Sequence, residues 1–525
     1  MKRKLWHMVW ILAVCMLASV VSPQAQQMAQ GMVFHDQNAN GVRDANEEGI
    51  PGVRVSNGRD IVVTDEEGRY AIPVDDDTIV FVLKPRDWMT PVNEDQLPQY
   101  YYIHKPQGSP ELRYAGVEPT GDLPESIDFP LIRREEPDTF QAIAFGDTQP
   151  RNLREVEYIA RDVLTGLIGT DAAFGITLGD IVFDDLTVFE PLNAAIGQIG
   201  IPWYNVIGNH DLNFDVPDNT HATETFQRVY GPPYYAFDYG PVHFMALNTI
   251  WWHGDRYTSR LGDDQLAFVL NNLEALERDQ LVVLLMHIPL METEERDAVY
   301  ALLSEFPNRL VLAGHWHRLE HHFLGEDQGW PGEEPLHVII PGMVCGGWWS
   351  GHHDEWGIPH TSMYDGAPNG HGLFTFSGNE YRFEYIPARR PRDFQIAVHA
   401  PDAIEFEHAA ETVVMANVFG GSERNTVEMR VGNSGEWILM ERVEVPDPNY
   451  VRLKEMEEEI LETLSAHEIT PPASFGRSIP NPRPSSHLWQ ATLPGSISRG
   501  THTIHVRSTD MFDQVHDGYR IVRVE

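Results

Sequence analysis

Cysteine is nearly absent: 525 residues carry two, Cys15 and Cys345. Cys15 lies in an apolar run near the N-terminus and Cys345 stands alone, which excludes a disulfide scaffold and a thiolate metal site. Lysine is scarce too, with five in the chain, and the formal net charge is −40. A protein that grips nucleic-acid phosphates over a broad surface needs the opposite balance, so no such partner is expected. An acidic, lysine-poor surface instead suits salty surroundings. Past the N-terminal run no stretch approaches 18 apolar residues, so the mature chain is expected to carry no transmembrane segment.

What is present divides along the chain. Residues 1–25, MKRKLWHMVWILAVCMLASVVSPQA, join a basic start to an apolar run and then small residues. This reads as a signal peptide cut near Ala25, so the protein is expected to be exported, periplasmic or extracellular. The remaining length suits two to four domains. Residues 31–95 read as a β-sandwich, with short runs such as YAIPV and TIVFVL between turn residues. Within them, DQNANGVRDANEE places Asp36, Asn38, Asn40, Gly41, Asp44 and Glu47 in the pattern of a calcium loop. No helical pattern flanks it, and the same residues also make a polar β-turn. Proline and charge crowd residues 96–138, which reads as a linker with little structure of its own. From 139 to 385, strands and amphipathic helices alternate, the signature of an α/β domain. Residues 390–525 return to strands as a C-terminal β-rich domain. One acidic helix, RLKEMEEEILETL, interrupts them and reads as a solvated face.

Polar residues collect at the ends of the α/β strands. TFQAIAFGD ends in Asp147, with Gln149 two residues on; ITLGD ends in Asp180. VIGNHD supplies Asn209, His210 and Asp211, LVVLLMHIP supplies His287, and AGHWH supplies His315 and His317. Carboxyl ends of strands are where open α/β sheets bind ligands. A single histidine after a strand is usually a turn residue; five such clusters in order point to a metal site. Carboxylate, amide and imidazole without sulfur suit Mn, Fe, Zn or Co. The donors are too many for one ion and fit two, roughly 3.5–4 Å apart, which would clamp a phosphoryl group.

The order GD…GD…GNHD…H…GHxH resembles the calcineurin-like metallophosphoesterases over residues 139–325. The resemblance implies a multidomain fold whose central α/β four-layer sandwich (α-β-β-α) is flanked by N- and C-terminal β-sandwich domains. It also implies a phosphoesterase with two divalent or mixed-valence ions, Mn, Fe or Zn, hydrolysing a small phosphorylated substrate by attack of a metal-bound hydroxide. On that reading Asp147 and His317 bind the first ion, Asp180 bridges, and Asn209, His287 and His315 bind the second. His210 contacts the phosphate and the leaving oxygen, and Asp211 orients His210. Gln149 stands where the family usually has His; its carbonyl is a weaker ligand, which favours harder ions such as Mn. Asp-x-Gln also resembles the manganese-dependent ADP-ribose/CDP-alcohol pyrophosphatases, which keeps nucleotide-like diphosphates and phosphodiesters open as alternatives. A second departure places Phe183 where many members carry Asp, with Asp184 and Asp185 following. The N-terminal block, GMVFHDQNANGVRDANEEGIPGVRVS, resembles the B-type repeats of bacterial surface adhesins, which implies cell-surface association and leaves a non-catalytic surface-binding protein as the rival reading. The whole layout resembles exported three-domain phosphoesterases, in part through PGMVCGGWWSGHHDEWGIPH.

Substrate contacts are expected from Arg151, which could hold a phosphate oxygen bidentately. Trp348 and Trp349, with Trp251 and Trp252, could wall a base or sugar.

Overall fold

The structure, a computed structural model, describes residues 26–433 and 435–525. The segment read as a signal peptide lies outside the described residues. Among those described, no helix is long and apolar enough to cross a membrane.

Two four-stranded sheets build the N-terminal unit. One runs Arg69–Val74, Gln27–His35, Phe129–Arg133, Trp88–Met89; the other runs Ile61–Val63, Arg54–Ser56, Thr78–Val82, Tyr101–His104. The strand RYAIPV shows why they form: Tyr70, Ile72 and Val74 turn inward while Arg69 and Ala71 face water. Residues 96–138 are therefore not a linker. Tyr101–His104 pairs antiparallel with Thr78–Val82, and Phe129 lies parallel and opposite Val33 on the first strand. Prolines at 98 and 106 flank one of these strands and Pro130 sits inside the other, so the local signal is weak. Pairing with distant strands overrides it.

The loop at 36–48 closes on itself. Asp36 accepts the N–H groups of Asn40 and Gly41, and Glu47 accepts those of Gln37 and Asp44. The amides of Asn38 and Asn40 both donate to Asp44. The loop has the hydrogen bonding of a polar turn, its three carboxylates engaged by backbone and amide donors of the loop itself.

The central unit holds two sheets. The first orders Trp203–Val206, Phe174–Leu178, Thr139–Phe145, Gly370–Ser377, Glu380–Pro387; its first three strands are parallel. The second orders Tyr235–Tyr239, Val242–Ala246, Leu281–Met286, Arg309–Ala313, Leu336–Pro341, Leu319–Leu324, with the four from Val242 to Pro341 parallel. Both are buried across their faces: FGITL and LVVLLM have no exposed residue. Helices Leu153–Asp162 and Phe189–Ile196 pack together over the first sheet's connections, and Asp263–Glu274 and Arg296–Leu303 over the second's. That is the α-β-β-α core, and one continuous apolar cluster fills it.

A second sandwich follows. Its sheets order Ile396–His399, Val413–Val418, Pro484–Thr492, Glu441–Pro446 and Ala403–Ile404, Val515–Val524, Gly500–Thr509, Thr426–Val431, Ile438–Leu439. The acidic helix spans Pro448–Ala466, capped by Asp447 on Tyr450 N–H. It is not wholly solvated: Glu457 is buried and accepts from Ser478 Oγ and Ile479 N–H.

Candidate metal centre

Parallel strands bring their carboxyl ends to one edge, and both sheets present that edge to the same space. Asp147 and Asp180 follow neighbouring strands of the first sheet, and Asn209 follows the third. His287, His315 and His317 follow neighbouring strands of the second. The motif glycines permit this approach. A Cβ on Gly208 would collide with the backbone N and Oδ1 of Asp180, and one on Gly179 would lie 2.5 Å from the His287 ring.

The polar atoms converge. Asp147 Oδ2 lies 3.1 Å from His317 Nε2, while its Oδ1 accepts the His315 backbone N–H. His287 Nε2 lies 3.1 Å from Asn209 Oδ1 and 3.2 Å from Asp180 Oδ1, and His315 Nδ1 is 3.2 Å from His287 Nε2. Ligand atoms of Asp180, His287 and His315 all fall within 4.8 Å of one another. His317 thus faces Asp147, and His315 faces His287. Each histidine's other nitrogen, where it is fixed, points at a backbone carbonyl: His287 Nδ1 at Leu178, His317 Nδ1 at Gly346. Such partners set the tautomer that leaves Nε2 free to ligate.

Strain concentrates here. Fourteen non-glycine residues among those described have positive φ, and seven are Gln149, Asp180, Asp184, His315, His317, Trp348 and Trp349. Left-handed backbone costs roughly 1–3 kcal/mol per residue and persists where function requires it.

These residues fit divalent cations. Asp147 Oδ2 is buried and makes no well-aligned hydrogen bond, its 3.1 Å contact with His317 Nε2 included. Burial alone would lower the His287 pKa, yet Asp180 and Asp147 push it up to about 9. The two carboxylates thus set a negative field at the point where the imidazoles converge, which suits a cation. Gln149 is the exception in orientation: its Nε2 donates to Asp180 Oδ2 at 2.6 Å while its carbonyl faces the Cys345 thiol at 3.7 Å. Ligation through its oxygen needs a half-turn of that amide.

Asp211 does not orient His210. Its carboxylate accepts the backbone N–H groups of Gly208, Ile181 and Val182 at 2.8, 3.1 and 3.1 Å, tying the GNHD turn to the LGD turn. Burial and the Asp180 charge push its pKa up. Asp184 takes the expected role, with Oδ1 2.6 Å from His210 Nδ1. Burial works to lower the His210 pKa, but Asp180 and Asp184 raise it on balance. Phe183 stacks on the His210 ring at 4.3 Å, and the Arg151 guanidinium lies 3.9 Å from the Phe183 centroid. Two groups this close cannot share one face, so Phe183 is sandwiched between them.

The expected substrate wall is only partly there. Trp349 is buried in the core, its Nε1 donating to the Thr148 carbonyl, and is no substrate contact. Trp348 stacks on His317 at 3.9 Å. Arg151 Nη1 donates to the Trp348 carbonyl at 3.1 Å, and Glu155 lies 3.6 Å away. Trp252 is buried with Nε1 on the Val216 carbonyl, and Trp251 lies under Arg260. Two residues at the centre were not singled out from sequence for it. Tyr257 sits edge-on to His315 at 6.3 Å, and Cys345 Sγ is 3.7 Å from His317 Nδ1. Tyr257 carried no motif, and Cys345 stands next to PGMV with nothing to mark its direction.

A two-sheet α/β sandwich with carboxylates, an amide and imidazoles converging at its carboxyl edge defines a metal-dependent hydrolase. Residues 141–319 match the Calcineurin-like phosphoesterase family, residues 37–114 the N terminal of Calcineurin-like phosphoesterase, and residues 339–516 its C terminal. The chain belongs to the calcineurin-like phosphoesterases, hydrolases that act on phosphoric ester bonds with divalent metal ions. No curated protein matches it significantly. Among solved structures, a purple acid phosphatase, PPD1, isolated from yellow lupin (Lupinus luteus) seeds aligns over 69% of this chain and 71% of its own, at 13% identity and a TM-score of 0.36.

Proposed function

We propose that the chain is an exported phosphoesterase that cleaves small phosphate esters with two divalent ions, Mn, Fe or Zn. Asp147 and His317 would hold one ion, Asn209, His287 and His315 the other, with Asp180 between them. The observation that carries this reading is the convergence of those donors: ligand atoms of Asp180, His287 and His315 within 4.8 Å of one another, His287 Nε2 3.1 Å from Asn209 Oδ1, and Asp147 Oδ2 3.1 Å from His317 Nε2. Divalent ions held there would supply positive charge for the phosphoryl oxygens and lower the pKa of a water. The chain's own part is positional. His210, oriented through Nδ1 by Asp184 and braced by Phe183, presents Nε2 toward the centre, 4.0 Å from Asp180 Oδ2. From there it can stabilise a phosphoryl oxygen or hand a proton to the leaving oxygen. Trp348 and Tyr257 flank the centre beside His317 and His315. Export rests on the basic start and apolar run of residues 1–25.

The test is direct. Purified chain reloaded with Mn, Zn or Fe is assayed on a phosphomonoester, a phosphodiester and a diphosphate. Turnover of at least one, lowered a hundredfold or more in His210→Ala and Asn209→Ala, is expected. Equal turnover in those variants, or none in the parent with any metal, defeats the proposal. Preference for the diphosphate would instead favour a nucleotide-diphosphate substrate.

A further inference from the structure

We propose that the C-terminal domain completes the metal centre through Arg477, a positioning residue that clamps the Trp348 carbonyl and so keeps the Trp348 ring stacked on His317. The inference rests on the metal reading of the site and gives the C-terminal domain a part in it.

The clamp has four members. Arg477 Nη2 lies 2.8 Å from the Trp348 carbonyl, 3.2 Å from that of Trp349 and 2.8 Å from Glu155 Oε1. Arg151 Nη1 approaches the same Trp348 carbonyl at 3.1 Å, and Arg151 N–H donates to Glu155 Oε2. Glu155 thus accepts from the Arg477 guanidinium and the Arg151 backbone, with Arg151 Nη1 3.6 Å away, and the Trp348 carbonyl is shared by both guanidiniums. Trp348 and Trp349 have φ of 58° and 51°. Two consecutive left-handed tryptophans do not hold themselves; something outside the loop must. The Trp348 ring then lies 3.9 Å from the His317 ring, whose Nδ1 is held by the Gly346 carbonyl and whose Nε2 faces Asp147. Displacing Trp348 frees one side of that imidazole.

Arg477 is itself built in. Tyr450 Oη donates to the Pro480 carbonyl, and Lys454 and Glu457 grip Ser478 and Ile479, all from the helix Pro448–Ala466. On the other side the segment meets the loop of the metal centre backbone to backbone. Gly351 N–H donates to the Arg477 carbonyl at 2.8 Å and His353 N–H to that of Ser474 at 3.0 Å. His352 packs on Phe475 at 4.1 Å. A continuous path therefore runs from the acidic helix through residues 474–480 and Trp348 to His317.

The test measures metal, not turnover. Full-length parent, R477A, R477K, W348A, W348F and the R477A/W348A double variant are loaded with Mn or Zn and challenged with graded chelator, and bound ions are counted by mass spectrometry. H317A marks which ion is which. The expected result is about a tenfold to hundredfold weaker hold on the ion that H317A loses, in both R477A and W348A, with the other ion unchanged. R477K recovers part of it, because an ammonium cannot span Glu155 and two carbonyls. The double variant should be no weaker than W348A alone. Parent-like affinity in R477A, or additive losses in the double variant, overturns the clamp. If R477A does not fold, W348F against W348A decides: a ring that still stacks must preserve the hold, and equal affinity of parent and W348A overturns the clamp. A parent chain that binds no ion overturns the metal reading along with it, whereas two ions held equally by parent and R477A overturn the clamp alone.

Discussion

Single side chains divide the work at this centre less evenly than their motifs suggest. GNHD reads as one unit, yet its last two residues face different ways. His210 turns out to the centre and meets Asp184, while Asp211 turns in and gathers three backbone N–H groups. Spacing cannot tell these apart, because Asp211 is His210's neighbour in sequence while Asp184 comes from the preceding motif, and only the path of the loops decides which carboxylate meets the imidazole. The consequences differ. Asp184→Asn removes the acceptor that fixes the His210 tautomer, so kcat should fall by about tenfold to a hundredfold with metal content and melting unchanged. Asp211→Asn sets an amide N–H₂ against backbone donors in a buried site and should cost about 2–3 kcal/mol of stability. Steady-state kinetics and urea melts of both variants check this. An Asp211→Asn enzyme that melts like the parent but turns over slowly would reverse the two roles.

At the scale of elements, strand ends were legible and loop interiors were not. Each parallel strand is a near-continuous apolar run that stops at a polar residue, so Asp147, Asp180, Asn209, His287, His315 and His317 could be placed on one edge before any coordinates. The strands Tyr101–His104 and Phe129–Arg133 could not, since four or five residues flanked or interrupted by proline carry no period, and their partners lie elsewhere in the chain. Nor could the facing of Trp348 and Trp349. Adjacent residues in ordinary strand geometry point to opposite sides, but here both are left-handed, and one ring goes to His317 while the other is sealed in the core. Trp349→Ala should therefore open a cavity and cost about 3–5 kcal/mol. Trp348→Ala, at a half-buried position, should cost less than half of that. Denaturant melts of the two variants measure the contrast directly, and equal losses would mean that Trp348 is also core.

Across the whole molecule, scarcity of lysine becomes informative. The three lysines among the described residues are each set against a glutamate: Lys84 against Glu136, Lys105 against Glu224, Lys454 against Glu457. Lys105 belongs to the N-terminal region and Glu224 opens a helix of the phosphoesterase core, so this pair joins two domains. Asp77 adds its carboxylate 2.6 Å from Lys105 Nζ, and His221 Nδ1 lies 2.7 Å from Glu224. Asp77, His221 and Glu224 would pass for a metal site by proximity, but the Lys105 ammonium already lies between the two acids. Burial pushes the Glu224 carboxyl up, and hydrogen bonds from Ser109, His221 and Lys105 bring it below the usual range on balance. A depressed carboxylate adds stability that is complete above the unfolded value, about 4.3, and is lost as pH falls through it toward the folded value. The contact between the N-terminal region and the core should therefore loosen below about pH 4. Glu224→Ala leaves Lys105 buried beside a single acid, so it should cost about 3 kcal/mol at pH 7 and flatten the acid limb. Urea midpoints of parent and variant from pH 3 to 7 test both parts. A parent whose midpoint holds steady to pH 3, or a variant with the same acid limb as the parent, would show that another carboxylate governs acid stability.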